Sequence, residues 1–179
     1  MSFHIKLFLR ECSSILRWVL ACAPKTENLK SAYKHMFCRT LECCLLILQL
    51  QRRHVELLKK ETEKVHPVEA CALLFGRLYK NEAVVKKVEI AQNRLRSTTR
   101  FKVDPAKVAA AITDAEEEGL EFIGLFHSHP TLAVPSTIDL KSMRLWGDAL
   151  WLILSSTDDN LAAYQLIDDT VKEAIIKIK

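Results

Sequence analysis

The stretch that most restricts this chain runs from Glu121 to Pro130 and reads EFIGLFHSHP. Its apolar part, Phe122 to Phe126, has the character of a buried strand, and Pro130 is a natural stop for it. Two imidazoles, His127 and His129, stand at the strand's end. Side chains at i and i+2 of an extended chain project to the same face, so both rings can reach one point. Asp139 follows ten residues after His129, on the first turn of a helix expected to begin near Ser136. Two histidines and a carboxylate supply three ligands of a tetrahedral zinc site and leave the fourth open, as a hydrolase requires. An HxH pair alone is a weak signal, and Pro135-Ser136-Thr137 also reads as an ordinary helix start capped by Ser136. The combined order of strand, HSHP, short loop, P-S-x-x-D and helix is what points to a metal centre.

That order resembles the JAMM (MPN-plus) family of zinc metallopeptidases, which includes archaeal-type deubiquitinase-like enzymes and the proteasome-lid deubiquitinase. These cleave isopeptide bonds made by ubiquitin and its relatives. The family pattern is a distant Glu, then H-[ST]-H-P, a short loop and S-x-x-D. It is matched here by Glu69, His127-Ser128-His129-Pro130 and Ser136-Thr137-Ile138-Asp139. Six residues, Pro130 to Pro135, separate His129 from Ser136, where the family usually has seven. The resemblance implies one Zn²⁺ per chain, held by His127, His129 and Asp139. It also implies Glu69 as the general base that passes a water proton to the departing lysine amine, and Ser136 as the hydroxyl donor to the oxyanion. Ser128 lies between the two histidines and faces the other way, which suits a structural role. The likeness covers roughly residues 45–179 and implies the cytidine-deaminase-like MPN architecture: an α/β fold with a mixed curved sheet flanked by helices.

Taken in order, the 179 residues hold 49% hydrophobic side chains and only 4 glycines, enough for one ordinary core. Residues 1–60 carry 11 Lys/Arg against 4 Asp/Glu, and residues 61–179 carry 15 against 18, so the basic character belongs to the N-terminal part. All six cysteines (Cys12, Cys22, Cys38, Cys43, Cys44 and Cys71) precede residue 72, and none forms a CxxC. They read as reduced thiols in a cytoplasmic protein rather than as a disulfide framework. Lys6, Arg10, Glu11 and Arg17 interrupt the apolar start of the chain, which excludes both a membrane span and a signal peptide there. Residues 1–45 are expected as an N-terminal helical extension, packed on its own domain or on a partner, and residues 46–179 as the metallopeptidase domain.

Within that domain Leu46–Gln51 reads as a strand and Arg52–Val65 as an amphipathic helix ended by His66-Pro67. Val68 to Gly76 reads as a strand carrying one charge, Glu69, which is either an exposed strand start or the base that the H-P-x-E spacing suggests. A hairpin partner is expected over 79–91, and a polar Arg-rich loop over 93–99. A short strand is expected at Phe101–Val103, followed by a helix capped by Asp104 and Pro105 and stopped at Gly119. Strands follow at 149–155 and 160–167, with an edge strand over 171–179.

Three functional classes stay open on the sequence alone. The first is a zinc isopeptidase acting on ubiquitin or ubiquitin-like conjugates, whose extended tail would dock along a sheet edge near the Arg-rich loop. A proteasome-type assembly or a second copy of the chain would be a further partner. The second is an inactive scaffold of the same fold, against which the joint presence of Glu69, His127, His129, Ser136 and Asp139 argues. The third is a membrane-surface or nucleic-acid module built on the basic N-terminus. No recognised nucleic-acid-binding motif supports that reading, and no nucleic acid or transmembrane segment is expected.

Overall fold

The computed structural model describes residues 46–179, so the helices expected within residues 1–45 lie outside the described residues. Seven strands and three helices follow in the order β1 (Ile47–Leu50), α1 (Arg52–Val65), β2 (Cys71–Leu78), β3 (Glu82–Ala91), α2 (Pro105–Glu117), β4 (Glu121–His129), α3 (Thr137–Trp146), β5 (Leu150–Ser155), β6 (Leu161–Ile167) and β7 (Thr170–Ile178). The mixed α/β class expected from the sequence is what forms.

The mixed sheet curves until it closes on itself. Its order is β1-β3-β2-β4-β5-β6-β7, and β7 pairs in parallel with β1 to close a barrel. The C-terminal strand, expected at an edge, therefore lies between β6 and β1. Its alternating Ile-Lys pattern signals one solvated face, which a barrel strand shares with an edge strand. Closure is uneven, because β1 pairs with β3 only from Glu82 to Val84, whereas β2 pairs with β3 as far as Ala91. Beyond Val84, β3 overhangs with one side unpaired by strand. Two further expectations are corrected. Phe101–Val103 is irregular backbone, and the strand that carries Glu69 begins only at Cys71. Lys102 hydrogen-bonds to Arg94 and Asn93 of the preceding loop, and Glu69 N to the Ser97 carbonyl of the same loop, while only Ala70 of the segment before β2 bonds to β4. Local composition does not reveal these partners.

Alternation along the strands divides the apolar residues between two cores. Leu48, Leu50, Leu74, Val85, Phe126, Leu152 and Ala163 pack with Leu58 of α1 in one cluster, while Leu73, Phe75, Leu125 and Trp151 pack with Val108, Ile112 and Ala115 of α2 and Met143 of α3 in the other. β2, β4 and β5 are thus buried on both faces over most of their length, and their sequences read as continuous apolar runs. The helices begin where the sequence places them. The Asp104 side chain accepts from Ala106 N with Pro105 in the first turn, and Ser136 caps α3.

Parallel pairing of β4 with β5 sets Gly124 opposite Leu150. A Cβ added there would stand 1.9 Å from the Leu150 carbonyl oxygen, which belongs to a central strand and has nowhere to go. Gly119, at φ 72, ends α2 with nothing within 4 Å of such an atom. Gly124→Ala should therefore cost about 3 kcal/mol in denaturant-induced unfolding, and Gly119→Ala only about 1 kcal/mol from backbone conformation. Equal midpoints for the two variants would contradict the described approach of β4 to β5.

Candidate metal centre and active site

The site is assembled by β4 and the first turn of α3. Leu125 belongs to the core under α2 and α3 and Phe126 to the other, so strand alternation sends His127 and His129 to the helix-covered side. Both histidines are buried, His127 completely. Their Nε2 atoms face each other at 2.9 Å. Asp139, also buried, brings Oδ1 to 3.4 Å from His127 Nε2 and Oδ2 to 3.2 Å from His129 Nε2. Ligand atoms of the three residues all lie within 4.8 Å of one another. Donors about 2.0–2.1 Å from a tetrahedral ion stand about 3.3 Å apart, and these separations bracket that value.

The hydrogen bonds around the rings also fit a cation. His129 Nδ1 lies 3.1 Å from the Leu132 carbonyl, which can only accept, so Nδ1 carries a proton; Nε2 then presents a lone pair in the neutral ring and donates to Asp139 in the charged one. His127 Nδ1 is buried without a protein partner. Its ring is packed between Phe101, stacked at 4.7 Å and 26°, and Trp151, edge-on at 5.7 Å. Two imidazoles and a carboxylate so arranged could hold a metal ion.

Asp139 is fixed by the way α3 starts. It is the N3 residue of a capping box, in which Ser136 Oγ accepts from Asp139 N and Ser136 N donates to Asp139 Oδ2 at 2.7 Å. The Ser136 hydroxyl itself donates to Asp139 Oδ2 at 2.6 Å. The shortened loop between His129 and Ser136 therefore still delivers both residues to the cluster. Its course is secured by Tyr164 Oη on the Ala133 carbonyl at 3.0 Å and by Thr157 Oγ1 on the Pro130 carbonyl.

Glu69 enters from the segment that leads into the neighbouring strand, β2. β2 pairs with β4 in antiparallel register with Cys71 opposite His127, and the pairing continues beyond the strand. Ser128 N donates to the Ala70 carbonyl at 3.1 Å, and Ala70 N donates to Ser128 Oγ at 2.9 Å. The same register sets Glu69 opposite His129. Ser128, turned away from the cluster as expected, is thus the residue that fastens the segment carrying Glu69. Glu69 is only 4% exposed, unlike the solvated strand start that a lone Glu usually marks. A cavity of about 740 Å³ reaches it, walled by Lys64 and Val65 of α1, Glu89 to Ala91 of the β3 overhang, and Arg94 and Arg96 of the following loop.

Burial pushes the Glu69 carboxyl up from its ordinary 4.5 to about 7, with the His129 charge opposing and the Asp139 charge adding. Burial holds His127 below the usual imidazole value despite the bond to Asp139. For His129, burial acts downward but is outweighed by the bond and charge of Asp139, and the net shift is upward. Asp139 is held well below the carboxylate range, because bonds from both imidazoles overcome the effect of its burial. The residues that the sequence did not single out are Phe101, Trp151, Tyr164 and Thr157. Trp151 sits in an unbroken apolar strand and gives no signal, and the others act through tertiary contacts alone.

The Glu69 shift has a consequence for stability. A carboxyl whose folded value lies above its unfolded one binds more protons when folded, so its favourable contribution is complete below pH 4.5 and lost as pH rises through 7. In the metal-free protein Glu69→Gln should raise the unfolding free energy at pH 8 by on the order of 2 kcal/mol and leave it nearly unchanged at pH 4. A gain of the same size at both values, measured by denaturant titration, would contradict the burial described.

Comparison with known proteins agrees with this geometry. A family model described as prokaryotic homologs of the JAB domain matches residues 41–167. A curated desampylase from Pyrococcus furiosus is 42% identical over 89 residues, a match spanning 49% of this chain and 60% of that protein. Among solved structures, one from Desulfitobacterium hafniense superposes with a TM-score of 0.66 at 29% identity, covering 75% of this chain and 93% of the other. One from Salinibacter ruber gives 0.57 at 25% identity, covering 73% and 90%. Together with the strand order and the His-x-His-to-Asp placement, the match over residues 41–167 means that this chain belongs to the JAB/MPN family, among its prokaryotic homologs.

Proposed function

We propose that this chain is a zinc-dependent isopeptidase that removes ubiquitin or a ubiquitin-like modifier from lysine side chains. The observation that carries the reading is the convergence of His127 Nε2, His129 Nε2 and the Asp139 carboxylate in a buried cluster, with Glu69 in register opposite His129. Family membership and the likeness to a desampylase support a hydrolase acting on such a modifier. In this reading residues 46–179 form the catalytic domain, and residues 1–45 an extension to it. Among the described residues no helix is long and apolar enough to cross a membrane.

One zinc ion per chain would be held by His127, His129 and Asp139. Bound there, zinc supplies Lewis acidity, which makes water a usable nucleophile at neutral pH and polarises an amide carbonyl. Glu69 accepts the attacking water's proton and returns it to the lysine nitrogen as the C–N bond breaks, leaving a free amine and a carboxylate. Burial raises the proton affinity of Glu69, the charge of a bound zinc ion would act in the opposite direction, and the two together would keep the carboxyl able both to take and to give a proton. Ser136 donates its hydroxyl hydrogen to the tetrahedral oxyanion, giving up the 2.6 Å bond to Asp139 to do so. The modifier's extended tail lies in the cavity that reaches Glu69, and pairs with the backbone of the β3 overhang at Glu89 to Ala91.

Two variants separate metal from proton transfer. Asp139→Ala should abolish stoichiometric zinc binding and hydrolysis of a ubiquitin-like conjugate together. Glu69→Gln should keep the zinc and lower kcat by about 10²–10⁴. Full turnover in the presence of a strong chelator, by protein stripped of metal, would overturn the proposal.

A further inference from the structure

Glu69 precedes β2, so the strand itself does not fix it. Its backbone is instead gripped by the loop that follows β3. Glu69 N donates to the Ser97 carbonyl at 3.0 Å, and the Glu69 carbonyl accepts from Asn93 Nδ2 at 3.3 Å. Asn93 is 7% exposed and spends the rest of its hydrogen-bonding capacity inside the loop it opens. Nδ2 gives its second hydrogen to the Arg100 carbonyl at 3.0 Å, and Oδ1 accepts from Leu95 N at 3.1 Å and Lys102 N at 3.2 Å. The amide orientation is fixed by these partners, two carbonyls on one side and two N–H groups on the other. A buried amide with every bond made is a rigid element, and removing it strands several backbone groups at once.

Two parts of the site depend on that element. One is the peptide unit of Glu69. The other is Phe101, which lies between the Arg100 and Lys102 anchor points and stacks on His127. Sequence composition marks 93–100 as a solvated Arg-rich loop, and its exposed arginines fit that description. Its inner side is a clasp closed by one asparagine.

We infer that Asn93 is a positioning residue for the isopeptidase reaction: it closes the 93–102 loop over Glu69 and holds that carboxylate against the His127–His129–Asp139 cluster. The inference rests on Glu69 being the base in the proposed function. Asn93 lines the cavity but makes all four of its hydrogen bonds within this chain and none to a metal ligand. A variant that keeps the Oδ1 bond to Lys102 N beside Phe101 while losing the bond to the Glu69 carbonyl therefore acts on turnover through Glu69. Asn93→Asp is the incisive variant, since it keeps the two bonds accepted by Oδ1 and loses the two donated by Nδ2. Asn93→Ala removes all four.

The experiment uses the full chain with zinc and a ubiquitin-like conjugate, and compares Asn93→Asp in two backgrounds, wild type and Glu69→Gln. Zinc content and the affinity measured by chelator competition should be unchanged, and amide exchange at residues 69, 95 and 102 should report whether the clasp has opened. In the wild-type background kcat should fall roughly 10- to 100-fold with KM little altered. In the Glu69→Gln background the same substitution should have almost no further effect, because there is no base left to misplace. An equal fold-loss of kcat in both backgrounds would overturn the inference and leave Asn93 a general structural residue. So would unchanged kcat in Asn93→Asp with faster exchange at residue 69. If Glu69→Gln alone leaves turnover intact, the base assignment falls first and takes this inference with it, an outcome distinct from either of the others. Should Asn93→Asp not fold, Asn93→Ser, which retains one donor and one acceptor, should lower kcat less than Asn93→Ala and show the same dependence on Glu69.

Discussion

The site depends on one piece of antiparallel pairing, the register of β2 against β4. Cys71 stands opposite His127, and the ladder runs on through Ala70 and Ser128 before either neighbour leaves the sheet. Side-chain alternation then does the rest. Ser128, on the face away from the histidines, can take the Ala70 N–H with its hydroxyl, and Glu69 falls opposite His129. A shift of one residue would turn His127 and His129 into the other core, away from Asp139, so the register is a condition of the chemistry as well as of the fold. Close packing of Gly124 against Leu150 on the other side of β4 helps to hold it.

The remaining parts are brought to that ladder by separate devices. Asp139 arrives through a capping box, a local arrangement that needs only Ser136 three residues before it. The same hydrogen bonds that start α3 therefore orient a candidate ligand, and this is compatible with a loop one residue shorter than the family's usual length. Glu69 arrives through long-range contacts, to Ser97 and Asn93 on one side and through Ala70 to Ser128 on the other. The two arrangements differ in robustness. A cap survives most changes elsewhere in the chain, whereas a clasp closed by one buried amide does not.

How much of this could be read from the chain alone follows the same division. His127, His129 and Asp139 were legible because their convergence needs only a strand end and a helix start, both of which have local signals. The Asp104-Pro105 helix start and the Gly119 stop were legible for the same reason. Closure of the barrel was not, since the pairing of β7 with β1 joins the two ends of the described residues and leaves no local mark on Ile175 or Ile47. Phe101–Val103 has strand composition, yet Lys102 spends its N–H on Asn93 and Phe101 its ring on His127. Asn93 itself looks like any polar residue opening a loop. Only the geometry reveals that all four of its hydrogen bonds point inward.

In the proposed function two imidazoles and one carboxylate, with no thiolate, form the metal centre of this chain. Six cysteines make sulfur ligation a concrete alternative, and Cys71 lies in the register position opposite His127. Cys71 is not among the residues whose ligand atoms converge, and its buried Sγ lies 3.8 Å from the Glu69 carbonyl. Zinc K-edge X-ray absorption on the stoichiometrically loaded protein decides the matter. The expected result is a first shell of nitrogen and oxygen only, at about 2.0–2.1 Å, with the outer-shell scattering of two imidazoles. A sulfur shell near 2.3 Å, or an imidazole signal undiminished by His129→Ala, would contradict the account.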